Sequence, residues 1–156
     1  MELRAAAKAI FSAAVDRVRP ERLLSWSLAW DGSVLQVREG QTTLEYEIDR
    51  YQYIVLISIG KAAVPMAENL LSMLGNRIAE GLVVTKAMEG ELHSDEEAAS
   101  DLAAWPQIRV LRAGHPVPDL RSNQAGRELL ALARRAAEKQ RQNLRTLALV
   151  LLSGGG

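Results

Sequence analysis

Apolar and polar positions follow two different rhythms along the chain, and the change of rhythm divides it. Leu3, Ala6, Ala7, Ile10, Phe11, Ala14, Val15 and Val18 recur at three- and four-residue spacing, one apolar face of a helix that Pro20 should end. Such a face needs a surface to lie on. Between Ser27 and Val37, Asp31-Gly32 separates two β-prone stretches, a hairpin signal. Leu44, Tyr46 and Ile48 then alternate with polar residues, as in a half-buried strand. The first fifty residues therefore predict a helix and a small antiparallel addition.

From Tyr53 the texture is that of parallel sheet. Residues 53–58, Tyr-Ile-Val-Leu-Ile-Ser, form an unbroken run of the kind found in strands buried on both faces. Ile59-Gly60-Lys61 leads into a helix with Ala63, Met66, Ala67, Leu70 and Leu74 on one face; Pro65 fits its first turn and Gly75 its end. The unit recurs: Gly81 to Thr85 reads as a strand, Ser94 to Ala104 as an acidic helix and Ile108 to Leu111 as a strand. After a loop from Ala113 to Arg121, a helix capped near Ser122 carries Ala125, Leu129, Leu132, Ala133 and Ala136. Leu147 to Leu152 is the strongest buried-strand pattern in the chain. The alternation predicts right-handed crossovers and an α/β fold: a doubly wound, largely parallel Rossmann-like sheet with a small antiparallel N-terminal addition.

Composition narrows the partners. At 156 residues and 48% hydrophobic content, one domain with a real core is expected. Nineteen basic residues balance nineteen acidic ones without long blocks of either sign, so no nucleic-acid or acidic-lipid surface is implied. No cysteine is present, which removes disulfides, thiolate metal sites and thiol nucleophiles together. Charges interrupt every apolar stretch of the first twenty residues, so neither a signal peptide nor a membrane span is read there. Small-molecule partners and a cytoplasmic setting are the expectation.

In an open α/β sheet, ligands bind beyond the carboxyl ends of the strands, which brings the turns after Ser58, Thr85, Leu111 and Leu152 to one edge. Ser153-Gly154-Gly155-Gly156 follows the last strand directly. Its amides could cradle a phosphate, or the glycines could simply make a tight turn. A glycine run with no helix after it suggests an incomplete domain, cut at a glycine-rich loop. Gly60-Lys61 could bring an ammonium to the same edge, although Val55 and Ala62 stand where a Walker P-loop would need Gly and Ser or Thr. In Ala113-Gly-His-Pro-Val-Pro-Asp119, His115 and Asp119 could orient substrate hydroxyls or exchange protons. Equally, Asp119 could cap the next helix and His115 serve the loop. His93 among Glu89, Glu91 and Asp95 matches no metal-ligand spacing, so no metal site is assigned. Trp26, Trp30 and Trp105 read as packing residues.

Taken together, residues 59–67, Glu80 to Lys86, Ala113 to Asp119 and Leu151 to Gly156 resemble the class II glycerate 2-kinase family, whose members carry a MOFRL-type C-terminal region. The resemblance runs from the first helix to the last residue, and Ala113 to Asp119 and Ser153 to Gly156 are its most specific parts. It implies a Rossmann-like N-terminal domain, a smaller C-terminal domain beyond residues 1–156, and an active site between them. Family members are expected to be roughly two to three times longer than this chain. The implied activity is transfer of the γ-phosphoryl of ATP, with Mg²⁺, to the 2-hydroxyl of D-glycerate. By the same resemblance Lys61 is the functional lysine, and Gly60, His115, Asp119 and Ser153 to Gly156 line the cleft. Members often carry a Gly-His pair shortly after the second strand, where this chain has Ala87-Met-Glu-Gly90.

Two competing functions follow. Some relatives carry a hydroxypyruvate reductase label, an NAD(P)H reading opposed by the lack of any GxGxxG. The other is a non-enzymatic sugar-acid or phosphate-binding module. The 156 residues alone are expected to be inactive, with a homodimer or the missing C-terminal part as possible partners.

Overall fold

A computed structural model describes residues 3–87 and 102–154. Two compact units divide at Tyr46 and Glu47.

The first unit begins with α1 (Leu3–Arg17) and α2 (Pro20–Ser27). Pro20 ends the first helix, as its fixed φ predicts, but it also starts the second at a position where its missing N–H costs nothing. That second helix was not foreseen. Arg17 lies 5.0 Å from the Trp26 ring centroid, so this tryptophan contacts a cation. The apolar face of α1 forms but buries nothing; Phe11 is 69% exposed. β1 (Leu28–Trp30), β2 (Val34–Glu39) and β3 (Thr42–Glu47) make a three-stranded sheet in that order. The Asp31 carboxylate accepts from the N–H of Ser33 at 2.8 Å and of Val34 at 2.7 Å, which makes the predicted turn. β3 differs from its half-buried expectation: Leu44 is exposed, and Ile48 is buried in the short turn that follows.

The second unit is the α/β body. β4 (Tyr53–Ile59), β5 (Glu80–Lys86), β6 (Ile108–Ala113) and β7 (Thr146–Leu152) form a sheet in the order β6-β5-β4-β7, and every adjacent pair is parallel. α3 (Ala63–Leu74) covers one face with buried Ala63, Met66, Ala67, Leu70, Leu71 and Leu74. The Ser58 hydroxyl, fully buried in β4, donates to the Ala63 carbonyl at 2.8 Å and fixes the start of α3. α4 (Leu120–Arg141) covers the other face, packing Ala125, Leu132 and Ala136 on Val55, Leu82 and Val84. Helices on opposite faces of a parallel sheet are the doubly wound arrangement.

The α4 helix starts at Leu120, earlier than the expected cap at Ser122. Asp119 is the N-cap and Ser122 the third residue of a capping box: Ser122 N–H donates to Asp119 Oδ1 at 3.1 Å and Asp119 N–H to Ser122 Oγ at 3.1 Å. β7 is also not buried on both faces. It is a sheet-edge strand whose Leu147, Leu149 and Leu151 are half-buried, while Val150 is 53% and Leu152 68% exposed. The register sets Ala148, Val150 and Leu152 beside Val55, Ile57 and Ile59, on the α4 side, and α4 does not extend over them. Of the expected acidic helix Ser94 to Ala104, only 102–104 fall among the described residues, and they form a turn. No helix among the described residues is long and apolar enough to cross a membrane.

Candidate functional site

The chain runs β4, β5, β6 outward to one side and then returns across the sheet to place β7 on the far side of β4. The strand order therefore reverses between β4 and β7, and a crevice opens at the carboxyl ends of these two strands, where open α/β sheets bind ligands. A cleft of about 440 Å³ occupies that position. Ile59, Val84, Ala113 and Leu152, at or near the carboxyl ends of the four strands, give it an apolar lining, joined by Gly60-Lys61, Thr85-Lys86, Gly114-His115 and Ser153-Gly154.

The β4 and β7 turns are locked together. Ser153 N–H donates to the Ile59 carbonyl at 3.0 Å, and Ser153 Oγ accepts from Ala62 N–H at 3.2 Å. Gly60 N–H donates to the Val84 carbonyl at 2.9 Å. Gly60 has φ +116°, and a Cβ there would lie 2.0 Å from Ser153 Oγ. Glycine is thus required by backbone conformation and by close approach at once. These bonds correct the phosphate-cradle expectation in part. The Ser153 amide and hydroxyl are consumed in holding the two turns together and the Gly60 amide in reaching β5, which leaves Gly154 as the described glycine-run residue lining the cleft without a hydrogen-bonded amide. Gly155, Gly156, His93 and all of Ala87 to Gly90 except Ala87 lie outside the described residues.

The β6 turn is held by Asp119. Its Oδ1 accepts from Gly114 N–H at 3.2 Å in addition to the helix cap, and Arg121 Nε donates to Oδ2 at 2.8 Å. A Cβ on Gly114 would come within 2.7 Å of the Asp119 carboxyl carbon. The Arg121 hydrogen bond, with smaller help from the Ser122 and Gly114 amides, outweighs desolvation and holds the Asp119 pKa at about 2. Asp119 does not line the cleft, and it is a fixed anion rather than a proton acceptor near neutrality. The helix-capping alternative weighed for it is the one the geometry realises; His115, by contrast, lines the cleft. The His115–Pro116 peptide is cis.

Lys86 was overlooked as a site residue. It ends β5 and lines the cleft beside Lys61. Its position after a buried strand, at the same edge as Gly60-Lys61, was the available signal. Among the described residues no carboxylate lines the cleft, and no group of three or more His, Cys, Asp or Glu is arranged to hold a metal ion.

A family described as a domain of unknown function, DUF4147, matches residues 6–156. A D-glycerate 2-kinase of Thermotoga maritima is 33% identical over 116 residues, 74% of this chain and 23% of the relative. A glycerate kinase of Danio rerio is 30% identical over 152 residues, 96% of this chain and 28% of the relative. A glycerate 2-kinase of Pyrococcus horikoshii is 32% identical over 112 residues, 72% of this chain and 20% of the relative. The chain thus aligns with about a quarter of the length of these relatives, which are longer than the expected two to three times. The crystal structure of a glycerate kinase from Thermotoga maritima superposes with a TM-score of 0.52 at 24% identity, covering 83% of this chain and 24% of that one; it supports the fold.

Proposed function

Because this chain belongs to the DUF4147 family and is similar to glycerate 2-kinases, we propose that it supplies the Rossmann-like half of an ATP-dependent kinase cleft acting on the 2-hydroxyl of D-glycerate. The observation that carries the reading is the cleft itself: two lysines and the Gly154 amide gather at the strand-order switch, amid apolar residues, with no lining carboxylate among the described residues. That is an environment for phosphoryl oxygens, because ammonium and amide donors make charge-assisted hydrogen bonds to them.

The phosphates of ATP fit this donor set. Mg²⁺ does not: the described lining offers it no carboxylate, and the hydroxyl of Ser153 already accepts from Ala62. Within the cleft, Lys61 would neutralise charge on the transferring phosphoryl group or on the glycerate carboxylate, and Gly154 would donate its amide to the same anion. His115 would orient a substrate hydroxyl. Asp119 would act indirectly, as a positioning residue for the Gly114-His115 turn. A cytoplasmic setting goes with the use of a nucleotide triphosphate.

A coupled assay tests the reading on a longer protein that includes this chain. ADP release that depends on D-glycerate is expected, and Lys61→Ala should cut turnover by about a hundredfold or more while leaving the thermal midpoint nearly unchanged. NADH oxidation by hydroxypyruvate without ATP, or undiminished turnover in Lys61→Ala, would overturn it. The 156 residues alone should give no turnover.

A further inference from the structure

Lys61 and Lys86 line the same cleft. Ile59 and Val84 are the last register pair between β4 and β5; β5 continues to Lys86, whereas β4 ends at Ile59 and Lys61 sits in the turn after Gly60, whose N–H reaches the Val84 carbonyl. Two ammonium groups that line one cleft repel each other. Among the described residues no carboxylate lines the cleft to offset that repulsion. Neither lysine has an ion-pair partner among the described residues, whereas Arg109, Arg121 and Arg135, on the neighbouring strand and helix, each hold a carboxylate. Asp119, in the β6 turn at the same edge, is consumed by Arg121 and by the cap.

We propose that Lys86 and Lys61 form a two-point clamp for a phosphoryl-bearing ligand with at least two negative charges. The chemistry is shared by an oligophosphate chain and by the phosphate monoester of a hydroxy acid. A ligand of that charge spans the two ammonium groups and cancels their repulsion; a singly charged hydroxy acid satisfies only one of them. Lys86 therefore sets the charge of the ligand, while Gly154 on the β7 side and the Gly114-His115 turn on the β6 side bound its position. The inference rests on the reading of this cleft as a phosphoryl-transfer site, and adds to it a residue and a charge requirement.

The test is calorimetric titration of the 156-residue chain at low salt with tripolyphosphate, with 2-phosphoglycerate and with D-glycerate. At least one of the two phosphorylated probes should bind, and D-glycerate should bind about tenfold more weakly or not at all. Preference for tripolyphosphate identifies the clamp with a nucleotide tail, and preference for 2-phosphoglycerate identifies it with a phosphorylated acid. Lys86→Gln should weaken the preferred probe about tenfold or more, Lys86→Arg should stay within about threefold, and Lys8→Gln, on α1, should bind as the parent does. Failure of both phosphorylated probes to bind the parent overturns the clamp. So does a Lys86→Gln protein that binds like the parent, even if Lys61→Gln does not; the kinase reading would then still stand or fall by its coupled assay. A clamp that survives while that assay fails leaves a phosphoryl-binding cleft without the kinase.

Discussion

Replacing Gly60 by alanine probes the lock between the β4 and β7 turns most directly. A residue with a Cβ at φ +116° is strained by ~1–2 kcal/mol before any neighbour is considered. The new Cβ would meet Ser153 Oγ at 2.0 Å and the Ser153 carbonyl oxygen at 3.0 Å, so the β7 turn has to move. Moving it endangers the Ala62 to Ser153 Oγ and Ser153 to Ile59 hydrogen bonds, each contributing ~1 kcal/mol. The total is about 3 kcal/mol, a large share of the roughly 5–15 kcal/mol that holds a typical domain folded. Urea unfolding of the parent, Gly60→Ala, Ser153→Ala and the double variant separates the contributions. Removing Oγ in advance relieves the worst contact, so the double variant should cost about 1 kcal/mol less than the sum of the singles. A Gly60→Ala protein within about 0.5 kcal/mol of the parent, or strictly additive singles, would refute the reasoning.

Three further outcomes follow from the geometry. Asp119 should titrate near pH 2 in a carboxyl NMR experiment; its depressed pKa means that its contribution to stability is present above the ordinary carboxylate range and is lost as pH falls from about 4 towards 2, with loss of Gly114 amide protection. Titration near 4 would remove the Arg121 hydrogen bond as its cause. Tyr53, half-buried and hydrogen-bonded to Glu80, should ionise at about 12, chiefly through burial and then through the Glu80 carboxylate. Its contribution is complete below about pH 10 and fades as pH rises through 12; ultraviolet titration of Glu80→Gln should return a lower value, and an unchanged one would exclude the carboxylate. Val150→Thr, on the uncovered side of β7, should shift stability by less than about 0.5 kcal/mol, while Val83→Thr in the closed core should cost ~1–3 kcal/mol in urea unfolding. Equal costs would mean that the β7 face is covered after all.

The parallel sheet was legible because β4, β5 and β7 centre on apolar runs too short for a helix and bounded by turn residues, and because helical spacing separates them. What such a run cannot reveal is whether both faces are covered. Leu147 to Leu152 is apolar throughout, yet one side is bare, because coverage depends on where α4 lies and not on β7 itself. The start of α4 was misread by three residues because Asp119 and Ser122 are both capping residues, and the box uses the two together. Pro20 carries two opposite signals, an end and a beginning, and only the first was read. In the cleft, Lys61 and His115 stood out by their turns. The commitment of the Gly60 and Ser153 amides was invisible, since it arises from contacts across 91 residues of sequence or, within the sheet, between neighbouring strands. Lys86 resembles any exposed lysine until its strand is set beside β4.

The Ser153 lock also has a temporal side. β4 can pair with β5 soon after both have been synthesised, but its other edge waits for β7, and Ala62 meets its hydroxyl partner 91 residues later. Closing so long a loop is entropically slow relative to local pairing. The crevice that organises the binding edge is therefore among the last parts of this body to form as the chain emerges. A ligand that bridges it draws its stabilisation from the most distant contacts in the unit, and so acts as a late fastener of the fold.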